Sequence, residues 1–235
     1  MTTYQNTFIE GRTVIPACDV ELPKFLELVE ATKDLPKIGG YKIPATSGYD
    51  GWKRWADEAK QRTTKPLIYD HQKGGTDIPD TGSFFMKQLR RAGVDAVILF
   101  PLAGPKTQAA WTEAAMEKGL YVLVGGEMTH PQFKRSDGGY IADEALEEIY
   151  ANAARQGVRH FVVPGNKLDR ISVYKRLLED LGADPIFFSP GLVKQGGDIS
   201  EAAKIAGNNW HGIVGTAIYT ASDIRKAAEE LTSKL

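Results

Sequence analysis

Cysteine is nearly absent from this 235-residue chain. Cys18 stands alone, which excludes an intramolecular disulfide and any zinc cluster built on several thiolates. Histidine is scarce too. His71, His130, His160 and His211 fall at no H-x-H or H-E-x-x-H spacing, so no metal site is expected. Neither sign of charge is in excess: 29 Lys and Arg against 30 Asp and Glu leave a formal net charge of −1. That balance argues against binding to nucleic acid or to an anionic membrane surface. No run approaches the roughly 18–20 consecutive apolar residues that cross a bilayer. The opening Met-Thr-Thr-Tyr-Gln-Asn has no basic segment followed by an apolar one, and no low-complexity or linker-like stretch interrupts the rest of the chain. With one cysteine and no targeting segment, a reducing, cytoplasmic setting is the expectation.

What the chain does have is apolar content and a repeating order. Its 42% of hydrophobic residues beside 25% charged suffices, at this length, to remove roughly 70–75% of the unfolded surface from water. Short β-rich apolar runs at residues 14–19, 40–44, 66–70, 96–100, 120–124, 160–163, 185–188 and 212–215 alternate with Ala/Leu/Lys/Glu-rich amphipathic segments. The helical segments are expected at 22–33, 51–61, 84–92, 107–118, 142–156, 168–181, 199–205 and 222–234, several closed by a glycine such as Gly93, Gly119, Gly157 or Gly182. Eight βα units in this length favour an α/β fold of one domain, a closed (β/α)8 TIM barrel over residues 1–235, rather than an open sheet of five or six strands. Trp52, Trp55 and Trp111 fall on helices and are expected to pack. Cys18 is expected to be a small buried side chain.

A barrel works at the C-terminal ends of its strands, so polar residues just after each strand become candidates. These are Asp19, Lys42, the segment Asp70 to Asp77, Glu127 to His130, Gly165 to Lys167, Ser189 to Gly197, and Gly215-Thr216. Lys37 competes with Lys42 for the place in the second strand. The densest constellation is Asp70-His71-Gln72-Lys73-Gly74-Gly75-Thr76-Asp77-Ile78-Pro79, where alternating carboxylates and ammonium groups could hold a lysine protonated and press on an anionic substrate. The same segment also reads as a solvated loop turned by its glycines. His71 could orient a charged neighbour there or be no more than a polar loop residue. In the second cluster, Ser189-Pro190-Gly191-Leu192-Val193-Lys194-Gln195-Gly196-Gly197-Asp198, loop amides with Lys194 and Gln195 could present donors to a phosphate.

Taken in order, Asp70…Lys73…Asp77-Ile78-Pro79, Glu127-Met128-Thr129-His130-Pro131, Val163-Pro164-Gly165-Asn166, Ser189-Pro190-Gly191…Gln195-Gly196-Gly197 and Ile213-Val214-Gly215-Thr216-Ala217-Ile218-Tyr219 resemble the orotidine 5′-monophosphate decarboxylase superfamily of phosphate-binding barrels. The resemblance runs from Asp19 to the final helix. It implies a cofactor-independent carboxy-lyase of pyrimidine nucleotide biosynthesis that acts on a nucleotide monophosphate. It also implies that Asp19 contacts the ribose, that Lys42 joins a charged network centred on Asp70, Lys73 and Asp77, and that Lys73 is the proton donor. Thr129 would read the pyrimidine edge. Pro190, Lys194, Gln195, Gly215 and Thr216 would form the remaining substrate contacts, Gln195 closing over the phosphate. A homodimer is implied as well, with Asp77 reaching into the partner's site.

Two departures stand out. The family centre reads D-x-K-x-x-D, whereas this chain has D-x-x-K-x-x-x-D; residues i and i+3 do not share a strand face, so the backbone must bulge for Lys73 to arrive. Thr216 stands where the family carries a phosphate-binding arginine, a loss Lys194 could offset as a point charge rather than a fork. The alternatives are a phosphosugar lyase or aldolase of the same superfamily, whose members use magnesium, and a catalytically silent nucleotide-binding barrel.

Overall fold

A computed structural model describes residues 8, 10–74 and 77–235. Along the chain run β1 (Arg12–Pro16), α1 (Leu22–Thr32), β2 (Tyr41–Ile43), α2 (Ser47–Asp50), α3 (Trp52–Lys60), β3 (Leu67–Asp70), α4 (Gly82–Ala92) and β4 (Ala96–Leu99). After them come α5 (Pro105–Glu117), β5 (Tyr121–Gly125), α6 (Asp143–Arg155), β6 (His160–Val162), α7 (Leu168–Asp180), β7 (Ile186–Ser189), α8 (Ile199–Ala206), β8 (Trp210–Val214), α9 (Thr216–Tyr219) and α10 (Ile224–Thr232). Local chemistry sets many of these boundaries. Leu22, Phe25, Leu28 and Val29 recur at three- and four-residue steps and give α1 one buried face. Asp198 and Asp223 cap α8 and α10 by accepting from the Glu201 and Lys226 amides, each at 2.9 Å.

The strands form one parallel sheet in the order β1-β8-β7-β6-β5-β4-β3-β2. Its two ends meet, so the sheet is a (β/α)8 barrel. Val14 N donates to Lys37 O at 2.9 Å, Gly39 N to Val14 O at 3.0 Å and Cys18 N to Lys42 O at 2.8 Å. A side chain at Gly39 would put its Cβ 2.2 Å from Thr13 Oγ1, so glycine there lets β2 lie against β1. Ala17 donates to Val214 O of β8 and Cys18 to Lys42 O of β2, alternate residues facing the two neighbours as in any parallel sheet, while β1 itself stops at Pro16. The first strand therefore ends earlier than its apolar run suggests, leaving Cys18 and Asp19 at the barrel rim. Residues 47–50 and 216–219 form short helices that periodicity does not anticipate.

Both faces of the strands are covered, which is why they read as continuous apolar runs. Ile15, Ile68, Ala96, Ile98, Leu123, Val162, Phe188 and Ile213 fill the barrel interior, and alternate residues such as Val14, Val97 and Phe187 pack under the helices. Trp55 stacks on Phe25 at 5.0 Å. At the base, Phe8 packs on Tyr121, Phe188, His160 and His211 with centroids 5.1–5.8 Å apart and so plugs the lower end of the barrel interior.

His211 is 2% exposed and shares a 2.6 Å hydrogen bond with Thr13. Burial, with His160 adding to it, pushes its imidazole down to about 3. An unfolded chain takes up that proton near pH 6.5, so the neutral folded form contributes fully above that pH and loses stability as the pH falls towards the folded value. The unfolding free energy should fall between pH 7.5 and pH 5, less steeply for His211→Gln. Equal slopes in denaturant melts would count against this account.

Candidate active site

The open end of the barrel holds a cavity of about 370 Å³ at the strand C-termini. Ile98, Phe100, Val162 and Ile213 line its floor. The Phe100 ring lies across Gly125 so closely that a Cβ there would stand 2.2 Å from it, and glycine is what lets the ring cover the floor. Around the rim stand Asp19, Lys42, Asp70, Lys73, Thr129, Pro190, Lys194, Gln195, Gly215 and Thr216; of the residues expected to make the site, Asp77 is absent, and so are the strand-end candidates Lys37, His71, Ser189 and residues 165–167.

One arc of the rim is charged. Lys42 pairs in register with Ile68, so Asp70, two residues further along β3, shares its inward face one step higher. Lys42 is ion-paired to Asp70 and lies 3.8 Å from Asp19, and Lys73 donates to Asp19 Oδ1 at 2.7 Å. The order Asp70, Lys42, Asp19, Lys73 therefore alternates in sign. Burial alone would push Lys42 down, yet Asp70 and then Asp19 outweigh it and raise the ammonium above its usual range. Burial likewise opposes ionisation of Asp19, but Lys42 first and Lys73 second hold its carboxyl below the usual range. Asp70 is fully buried, and its Oδ1 has no hydrogen-bond partner among the described residues.

The altered spacing is absorbed locally. Residues His71–Gly74 form one 3₁₀ turn directly after β3, and on it Lys73 reaches Asp19 at the cavity rim without lengthening the strand. The same turn sends His71 the other way. It stacks on Trp111 at 5.1 Å and touches Phe85 at 4.5 Å, and burial lowers its affinity for a proton. His71 is thus neither an orienting group in the charged cavity nor a solvated loop residue. Lys37 is excluded from the second-strand place, because its ammonium donates to Thr232 O and Leu235 O. Asp77 is exposed, its carboxylate accepting from the Ile78 amide at 2.7 Å, and it does not line the cavity of its own chain. Gly75 and Thr76 lie outside the described residues.

The opposite arc is built from loops. The segment after β7 carries Lys194 and Gln195 on a short turn in which Val193 adopts φ 62, a left-handed conformation strained by about 1–3 kcal/mol for a β-branched residue. Val193 N donates to Gly197 O at 2.8 Å, which pins the turn. Thr216 and Tyr219 hydroxyls lie 3.1 Å apart beside Gly215. Glu127 stands among the strand-end candidates, but the sequence assigns it no role. It lines the cavity at 2% exposure and pairs with Lys167 and Arg170, both at 2.9 Å, while Tyr174 donates to it. These three donors outweigh burial and hold its carboxyl below the usual range. Glu127 and Lys167 at least stood at strand ends. Arg170 sits inside α7, and nothing local marks it.

A family model described as "Orotidine 5'-phosphate decarboxylase / HUMPS family" matches residues 13–231. The chain belongs to this family. Curated members similar to it are the orotidine 5′-phosphate decarboxylases of Methanosarcina mazei, 31% identical over 92% of this chain and 89% of that one, and of Pyrococcus furiosus, 29% identical over 93% and 95%. Among solved members, the orotidine 5′-monophosphate decarboxylase of Methanocaldococcus jannaschii, complexed with the inhibitor BMP, superposes with a TM-score of 0.83 over 96% of this chain and 99% of that one at 23% identity, which supports the shared fold. The orotidine 5′-phosphate decarboxylase of Pyrococcus horikoshii matches with a TM-score of 0.76 at 25% identity, over 94% and 98%. No described helix is long and apolar enough to cross a membrane.

Proposed function

We propose that this family member is a carboxy-lyase that converts orotidine 5′-monophosphate to uridine 5′-monophosphate in pyrimidine nucleotide synthesis, without a cofactor. The observation that carries the reading is the alternation of Asp70, Lys42, Asp19 and Lys73 at the mouth of the barrel. A substrate carboxylate seated beside buried Asp70 meets a like charge that disappears when carbon dioxide leaves, so the transition state is favoured over the bound substrate. The C6–carboxylate bond breaks, its electron pair stays on C6, and the Lys73 ammonium delivers the proton that completes the product. Lys42, fixed between two carboxylates, holds the Asp70 carboxylate in place. Asp19 binds the ribose, Thr129 reads the pyrimidine edge, and Pro190, Lys194, Gln195, Gly215 and Thr216 receive the base and the phosphate. Lysines neutralise Asp70 and Asp19 here, which favours this reading over the magnesium-dependent phosphosugar lyases of the superfamily.

The protein would act in the cytoplasm as a homodimer, Asp77 completing the partner's site. Exposed Ile78 beside Asp77 and exposed Phe84 at the start of α4 support such a contact. The deciding test is to incubate the purified protein with orotidine 5′-monophosphate, with and without a chelator, and follow the pyrimidine absorbance. Conversion unaffected by chelator supports the proposal. Nucleotide binding without turnover would mark a silent binding barrel.

The phosphate end carries its own prediction. Lys194→Ala should weaken uridine 5′-monophosphate about tenfold, as for loss of one charge-assisted contact, and leave uridine binding unchanged. Thr216→Arg should recover part of the loss by restoring a forked donor. Titration calorimetry showing equal weakening for nucleotide and nucleoside would mean that Lys194 acts on the loop rather than on phosphate.

A further inference from the structure

The loop between β5 and α6 spans residues 126–142 and carries Thr129 on the cavity wall. A connection of that length does not hold one hydroxyl in place by itself. Its outer part is tied to the start of α6, Ser136 donating to Asp143 through both its amide (3.0 Å) and its hydroxyl. Its inner part is tied mainly to the next βα unit, beside one bond from the Glu127 amide to the Tyr150 hydroxyl of α6 at 3.2 Å. Lys167 Nζ donates to Glu127 Oε1 at 2.9 Å and to Met128 O at 3.0 Å, and Asn166 Nδ2 donates to Thr129 O at 3.1 Å. Arg170 and Tyr174 occupy the other Glu127 oxygen. Three consecutive loop residues are thereby fastened, side chain, carbonyl and carbonyl, by four residues of the β6–α7 unit. Burying a carboxylate with two cations in this way is weak evidence of added stability, since apolar residues fill such sites as well. What an apolar filling could not supply is two simultaneous bonds from one ammonium, to the Glu127 carboxylate and to the backbone one residue before Thr129.

We infer that Lys167 is a positioning residue for base recognition: through Glu127 and the Met128 carbonyl it sets where the Thr129 hydroxyl stands, and so which pyrimidine edge the cavity accepts. The inference rests on the proposed role of Thr129 in reading the base. A hydroxyl displaced by a fraction of an ångström no longer satisfies the base edge, and an unpaired polar edge is what rejects a wrong base. Lys167 itself is absent from the cavity wall, so it exerts this effect only through the loop.

The experiment compares binding of uridine 5′-monophosphate, cytidine 5′-monophosphate and ribose 5-phosphate to the whole protein and to Lys167→Met, Lys167→Arg and Glu127→Gln, by titration calorimetry. Lys167→Met is expected to weaken the uridine nucleotide about tenfold and to bring the uridine-to-cytidine preference close to one, with ribose 5-phosphate unchanged. Lys167→Arg should restore most of the preference, and Glu127→Gln should fall between. Unchanged ribose 5-phosphate binding also shows that each variant has folded. Equal loss for all three ligands, or an intact base preference in Lys167→Met, would overturn the inference. Failure of the unaltered protein to bind the uridine nucleotide would instead overturn the proposed function.

Discussion

Lys73→Ala is expected to lower decarboxylation of orotidine 5′-monophosphate by about 10²–10⁴-fold, the span a positioned general acid contributes. Folding should survive. The Lys73 side chain is 48% exposed on a surface turn, and its partner Asp19 keeps Lys42 within 3.8 Å. Binding of uridine 5′-monophosphate and the circular dichroism spectrum should therefore stay close to those of the parent protein while turnover is lost. The contrast with Lys42 sharpens the test. Lys42→Met would leave Asp70 as an unpaired buried charge, with an expected destabilisation of about 3–5 kcal/mol, so its loss of activity would come with loss of fold. If Lys73→Ala turned over at a near-normal rate, the proton would have to come from Lys42 or another route, and the proposed mechanism would fail.

A mixture of two inactive proteins should regain activity. Asp77 is exposed and does not line the cavity of its own chain, so in a dimer with shared sites each competent centre takes Lys73 from one chain and Asp77 from the other. Combining Lys73→Ala chains with Asp77→Asn chains puts both lesions in one site of the heterodimer and leaves the other intact. At equal amounts and full exchange, half of the dimers are mixed and one site in two works, so about a quarter of the parent activity is expected. Mixtures that remain inactive after exchange has been verified by mass spectrometry would show that each site is built from one chain.

Much of the architecture was legible because it rests on short-range pattern. The apolar runs from Ala96 to Leu99 and Tyr121 to Gly125, and the amphipathic periods of α1 and α6, mark strands and helices that form where expected, since burial on both faces of a parallel barrel leaves an unmistakable hydrophobic run. Strand ends then pointed to Asp19, Lys42, Asp70, Lys73, Thr129 and the loops after β7 and β8, all of which meet in one cavity. The short helices at 47–50 and 216–219 were not legible, being single turns too brief to show a period.

The sequence by itself determined the barrel, its working face and the residue types at that face, because each of these follows from continuous apolar runs alternating with a 3.6-residue period and from what stands at a strand's end. Only the tertiary structure decided among them. It chose Lys42 over Lys37, because closure of β1 against β2 carries one ammonium towards Asp70 and the other to the carbonyls of the final helix. It brought Lys73 to Asp19 across 54 positions by a single 3₁₀ turn and took His71 out of the charged group by the same turn. It set Glu127 against Lys167 and Arg170, 40 and 43 residues away. Such pairings depend on which loops a closed sheet makes neighbours, and distance along a chain carries no trace of that.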